Sequence, residues 1–167
     1  TMFGCQVAAE KLVNKECQRL ILTRPIVAAD EDMGYLPGEM ERKMEPWTRP
    51  MMDVFENYLT RNQLEKHVRI EPLGFMRGRT FNESFIIADE MQNSTPNQMK
   101  MLLTRLGDNS KMIVMGDLKQ SDLGPRNGLA DLVKRIKCLE LEYIEHVIMS
   151  DEDILRHPAV AEILKLY

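Results

Sequence analysis

The stretch FIIADE, residues 85–90, decides how the rest of the chain is read. Four apolar or small residues run into two adjacent carboxylates, Asp89 and Glu90. A continuous apolar run of this length reads as a strand buried on both faces. The acids cannot stay in such a core. They belong at the strand's C-terminal edge, where open α/β sheets bind ligands. Nucleotide hydrolases use a pair of this kind, one carboxylate organising Mg2+ and its neighbour polarising the attacking water. Taken alone, FIIADE describes equally well a buried strand ending in a charged turn, so its surroundings must decide.

Downstream, Thr95, Pro96 and Gln98 open a helix as a capping box with proline in the first turn. Met99, Leu102, Leu103 and Leu106 are its expected buried face, and Gly107 its end. KMIVM, residues 111–115, is a second apolar strand, and it too runs into a polar cluster, GDLKQSD at 116–122. In a parallel sheet the two clusters meet across one crevice. Gln120, donor and acceptor at once, suits contact with both a phosphate and a carboxylate-bound water. Upstream, Arg77 and Arg79 flank Gly78 in FMRGRT, residues 75–80; guanidinium groups suit phosphate oxygens, and a basic surface turn is the alternative.

The remaining elements follow from periodicity. Val7, Ala8, Leu12 and Val13 mark a helix over 2–14, with Gly4 its weak position. RLIL at 19–22 reads as a buried strand that Pro25 stops. Residues 28–38 read as an acidic loop. Met40, Met44, Trp47, Met51, Phe55 and Tyr58 form a helical stripe, which Pro46 and Pro50 are expected to divide into two pieces. Residues 68–70 read as a strand, 129–136 as a helix and 141–147 as a strand. Val160, Ile163, Leu164 and Tyr167 belong to a final amphipathic helix.

The 167 residues suit one domain spanning 1–167. A net charge of −4 excludes a broad basic field, so nucleic-acid contact must be local. Apolar runs are too short to span a membrane. Cys5, Cys17 and Cys138 have no paired spacing and read as reduced thiols of a cytoplasmic protein.

Several stretches occur together and in order: ILTRP at 21–25, GYLPG at 34–38, FMRGRT at 75–80, FIIADEMQN at 85–93, TPNQMKMLLTRLG at 95–107, GDLKQSDL at 116–123 and RHPAV at 156–160. Jointly they resemble the PhoH-like family of ATPases, P-loop NTPases related to superfamily 1 helicases, and the resemblance runs the length of the chain. It implies a RecA-like α/β fold with a mainly parallel sheet flanked by helices. It also implies ATP and Mg2+ as cofactors, a cytoplasmic location, a homo-oligomeric ring, and a link to RNA or single-stranded nucleic acid. By the same resemblance Asp89 and Glu90 match the Walker B acids, Asp89 for Mg2+ and Glu90 for activating water. Gly116, Asp117 and Gln120 match the motif that senses the γ-phosphate. Arg24 falls in an early motif. Arg24, Arg77 and Arg79 are candidates for nucleic-acid or subunit contact, and Arg156 is an arginine-finger candidate. The family's GxxxxGK[ST] phosphate loop is not found in these residues. Thr1 and the helix after it resemble the end of that loop, which makes Thr1 an expected Mg2+ ligand. The first strand and the loop are then expected upstream, in a longer protein. The alternative is a non-catalytic module that binds RNA or protein through its RGRT turn.

Overall fold

A computed structural model describes residues 1–25, 37–150 and 158–163, with the side chains of 37–43, 158 and 161 outside that description. The chain divides into two compact units, Thr1–Lys134 and Arg135–Tyr167.

The first unit is built on four parallel strands: β1 (Arg19–Thr23), β2 (Val68–Ile70), β3 (Ser84–Ala88) and β4 (Lys111–Val114), in the order β2-β1-β3-β4. Alternate residues of the central strands face opposite layers. Leu20, Leu22, Phe85 and Ile87 pack with Cys5, Ala8, Ala9 and Leu12 of helix α1 (Met2–Val13) and with Met51 and Phe55 of α2 (Pro37–Phe55). Ile21, Ile86 and Ala88 face the other way. They meet Met99 and Leu102 of α4 (Pro96–Leu103), Leu129 of α5 (Gly128–Ile136) and the turn at Leu73 and Met76. Helix α3 (Arg61–His67) leads into β2, closed at its N-terminus by a Thr60–Gln63 capping box. The result is the expected α/β architecture, a parallel sheet covered by helices on both faces.

The connections place the crevice. The chain leaves β1 through α2 on one face of the sheet and leaves β3 through α4 on the other. Adjacent strands whose crossovers diverge make a topological switch point, and the cleft lies beyond their C-terminal ends. Those ends are Thr23 and Ala88, which are paired in register.

The structure corrects several expectations. Residues 37–55 form one helix, not two pieces, with Pro46 and Pro50 inside it. Both prolines lie on its exposed side, where a carbonyl that has lost its N–H partner can reach water. Met44, Thr48, Met51 and Phe55 bury the opposite side, so Trp47 and Tyr58 fall off the buried line. Helix α4 ends at Leu103 with Thr104 as its C-cap, ahead of Gly107, and Leu106 is exposed. Strand β4 is half-buried, as suits the edge of the described sheet. Residues 141–147 form no strand; among the described residues they pair with no neighbour, and Tyr143 and Val147 are exposed. An unpaired strand has nowhere but water for its hydrogen bonds. Of the loop expected over 28–38, residues 28–36 lie outside the described residues, as do Arg156, Leu164 and Tyr167, while Pro37 and Gly38 begin α2 instead of a turn.

Gly4 packs closely in α1: a Cβ there would come within 2.9 Å of Sδ in the flexible Met115 side chain, just beyond β4. Cys5, Cys17 and Cys138 form no disulfide with one another. Burial pushes the Cys5 thiol up to about 11, which makes it an inert core group.

Ile87 is fully buried at the centre of the sheet, whereas Val7 is 41% exposed on α1. Ile87→Ala is expected to cost about 2–5 kcal/mol in urea unfolding, and Val7→Ala within about 0.5 kcal/mol of none. Equal losses at the two sites would contradict this placement of the core.

Candidate nucleotide site at the switch point

Asp89 is the first residue beyond β3, and its backbone N–H donates to the Thr23 carbonyl at 3.0 Å. Its side chain is 8% exposed. The Thr1 hydroxyl, at the N-terminus of α1, lies 3.2 and 3.1 Å from the two carboxylate oxygens. Burial raises the Asp89 carboxyl above its ordinary value; the charge of Glu90 adds to the rise and the Thr1 hydroxyl bond opposes it. A buried carboxylate beside a hydroxyl is a hard-oxygen pair that suits a divalent cation completed by phosphate and water oxygens. Among the described residues no three His, Cys, Asp or Glu side chains converge, so any such cation must take most of its ligands from elsewhere. Thr23 Oγ1 and Arg24 Nε, at the end of β1, are buried and without a hydrogen-bond partner among the described residues.

Glu90 follows in the left-handed region, φ 53 and ψ 34. For a residue with a Cβ this costs on the order of 1–2 kcal/mol, and such strain gathers at functional sites. Its half-buried carboxylate accepts a 2.6 Å hydrogen bond from Gln92 Nε2. Gln92 is 1% exposed, and its Oε1 accepts from the Asp117 backbone N–H at 3.2 Å. Asp117 in turn accepts from Lys119 N and from Gln120 Nε2, both at 2.8 Å. Gln120 therefore reaches the acids through Asp117 and Gln92. The two polar clusters are stitched further: Met91 N to Met115 O, Ser121 Oγ to Gln92 O, and Asp122 N to Asn93 Oδ1, at 3.0, 2.8 and 2.9 Å. Gly116 is required at this seam. A Cβ there would overlap Gln92 Oε1 and come within 2.8 Å of Leu129 Cδ2.

Arg24, Arg77 and Arg79 make no hydrogen bond to this seam among the described residues. Arg24 stacks over Trp47, 5.0 Å from the ring centroid. Arg79 pairs with Glu71 and covers the Phe81 ring. Arg77 is exposed beside Gly78, which has φ 79, and no side-chain hydrogen bond or ion pair holds it among the described residues. A cavity of about 330 Å³ lined by Cys17, Ser84 and Lys111 lies at the opposite, N-terminal edge of the sheet, away from the acids. Gln92 and Asn93 were missed by sequence reasoning. Their signal was two adjacent polar amides one residue beyond the acid pair.

A parallel sheet covered on both faces, with its acids at the switch point, places the chain in the RecA-like P-loop class. Comparison with known proteins narrows this. The model of the family described as PhoH-like protein matches residues 1–167. The chain is 42% identical over 177 residues to Protein PhoH of Escherichia coli K12, covering 100% of the chain and 49% of that protein. It is 41% identical over 167 residues to a PhoH-like protein of Bacillus subtilis, covering 96% of the chain and 52% of that protein. A PhoH-like protein of Synechocystis is 39% identical over 172 residues, covering 100% and 52%. The chain belongs to the PhoH-like family, and it spans about half the length of these curated relatives. No helix of the described residues is long and apolar enough to cross a membrane.

A carboxyl that holds its proton more tightly in the folded than in the unfolded chain favours folding most below its unfolded value, near pH 4. That contribution is lost as the pH rises through the folded value. Asp89 shifts in this direction. Asp89→Asn is therefore expected to raise Tm at pH 7 in EDTA, with the gain vanishing by about pH 3–4. A lower Tm for the variant at pH 7 would show that the fold depends on the ionised carboxylate.

Proposed function

We propose that residues 1–167 act as one ATPase domain, binding ATP with Mg2+ at the C-terminal edge of the sheet and hydrolysing it in support of RNA or single-stranded nucleic-acid metabolism. The meeting of the Thr1 hydroxyl with the buried Asp89 carboxylate, with Glu90 next in the chain, carries this reading. Thr1 and Asp89 are the groups that would hold Mg2+. When bound, the ion neutralises charge on the phosphate oxygens. Glu90 is the general base, a half-buried carboxylate that takes a proton from water. Gly116, Asp117 and Gln120 form the loop facing the terminal phosphate, and family membership supports each assignment. Arg24 carries a guanidinium nitrogen with no partner among the described residues, one strand away from Asp89. Arg156 completes the proposal as a finger donated between subunits of a cytoplasmic homo-oligomeric ring.

Glu90→Gln keeps the side chain's shape but cannot accept the proton. Phosphate release by the full-length protein, with all flanking sequence included, is expected to fall about 10²–10⁴-fold while ATP binding persists. Turnover within about threefold of the parent would remove Glu90 from this role.

Arg77 is the nucleic-acid contact in this reading, because Arg79 is already engaged by Glu71. In a salt titration of RNA binding, Arg77→Ala should flatten the slope of log K against log salt by about 0.7. An unchanged slope would return Arg77 to an ordinary surface turn.

A further inference from the structure

Gln92 lies outside every role assigned above, yet it is the most constrained polar side chain at the seam. It is 1% exposed and uses both ends of its amide, the NH2 on Glu90 Oε2 at 2.6 Å and the oxygen on the Asp117 N–H at 3.2 Å. Only this orientation works. Flipping the amide would set its oxygen against a carboxylate and its NH2 against an N–H. Gly116 has no Cβ where one would strike that same amide oxygen. Glu90 itself sits on a left-handed backbone that gives its carboxylate no regular-structure support.

We infer that Gln92 is a positioning residue for the hydrolytic base: it fixes the Glu90 carboxylate and ties its orientation to the Asp117–Gln120 loop. This rests on the ATPase reading above. The loop facing the terminal phosphate and the base that activates water then share one amide. A shift of the Asp117 backbone pulls on Oε1 and moves the Nε2 that holds Glu90. The chemistry is sensitive to such movement, since displacing a catalytic group by about 1 Å can cost on the order of 100-fold in rate.

Two substitutions separate positioning from packing. Gln92→Met keeps the length of the side chain and removes both hydrogen bonds. Gln92→Glu keeps an acceptor for Asp117 N–H and turns the donor facing Glu90 into an acceptor. It keeps the side chain's shape but buries a charge beside Glu90, so the uncharged Met variant carries the test should the Glu variant fail to fold. In the full-length protein both are expected to lower kcat about 10–100-fold, with KM for ATP within about twofold of the parent. The decisive measurement repeats both in a Glu90→Gln background, using single-turnover phosphate release. A residue that acts through Glu90 adds less than about twofold once Glu90 is gone. The same fold-loss in both backgrounds, a rise in KM with kcat unchanged, or parental kcat in Gln92→Glu would overturn the inference. Parental turnover in Glu90→Gln alone would instead remove Glu90 as the base, and a parent protein that releases no phosphate from ATP would overturn the ATPase reading beneath it.

Discussion

A sheet buried on both faces has no place for charge, and the rest of the site follows from that exclusion. Leu20, Ile21, Leu22, Ile86 and Ile87 are at most 1% exposed. An ionised carboxylate among them would lose its hydration with nothing in return. Polar groups therefore begin where the strands end, at Thr23 and Asp89, and the parallel arrangement puts those ends on the same edge. The divergent crossovers of β1 and β3 keep that edge open. Asp89 stands at the limit of what this arrangement tolerates, near enough to the core for burial to raise its carboxyl and near enough to Thr1 to share a hydroxyl proton. Thr23 Oγ1 and Arg24 Nε meet the same boundary from β1 without a partner among the described residues. A buried polar atom left unsatisfied costs about 1–3 kcal/mol, and a ligand in the crevice would recover part of it.

The second constraint is that β3 and β4 must deliver their loops in fixed relation. Strand register ends at Ala88 and Val114, the backbone bonds of Met115 with Ala88 and Met91 carry on one residue further, and side chains take over from there. Gln92 and Asn93 receive the N–H groups of Asp117 and Asp122, while Ser121 closes on the Gln92 carbonyl. These bonds extend the order of the sheet for several residues past its edge. Their cost is a narrow seam, which is why position 116 has no room for a side chain.

Much of the fold was legible because its signals are local. The apolar runs at 19–22 and 85–88 marked the central strands, and the Thr95-Pro96-Gln98 cap marked α4. The capping box formed with both of its hydrogen bonds. What failed depended on distant partners. Pro46 and Pro50 argue locally for a break, but the burial of Met51 and Phe55 against the sheet holds one helix together. Residues 141–147 have a strand's composition and pair with no neighbour among the described residues. Trp47 fitted the stripe by spacing, yet Thr48, a polar residue, took the buried position and satisfied its hydroxyl on the Met44 carbonyl at 3.1 Å. In the site, Asp89 and Glu90 announced themselves by their charge. Gln92 carries none, and its importance lies in two partners that only the folded chain supplies.

The cost concentrated at the switch point bears on whether this site is kept for chemistry. A module that merely docked through its RGRT turn would have no use for a buried Asp89, a left-handed Glu90 or a fully buried Gln92. Replacing any of them by residues suited to an ordinary strand-to-turn exit would remove a desolvation or backbone penalty. The penalties also form one connected unit: Thr1 on Asp89, Glu90 on Gln92, Gln92 on Asp117, Asp117 on Gln120. Strain that serves no purpose has no reason to be linked in this way. Here each unfavourable element orients the next, and the series runs from a cation-suited oxygen pair, through a carboxylate able to take a proton, to a loop able to meet a phosphate. That order of groups suits phosphoryl transfer to water, the use proposed for this edge, better than it suits docking.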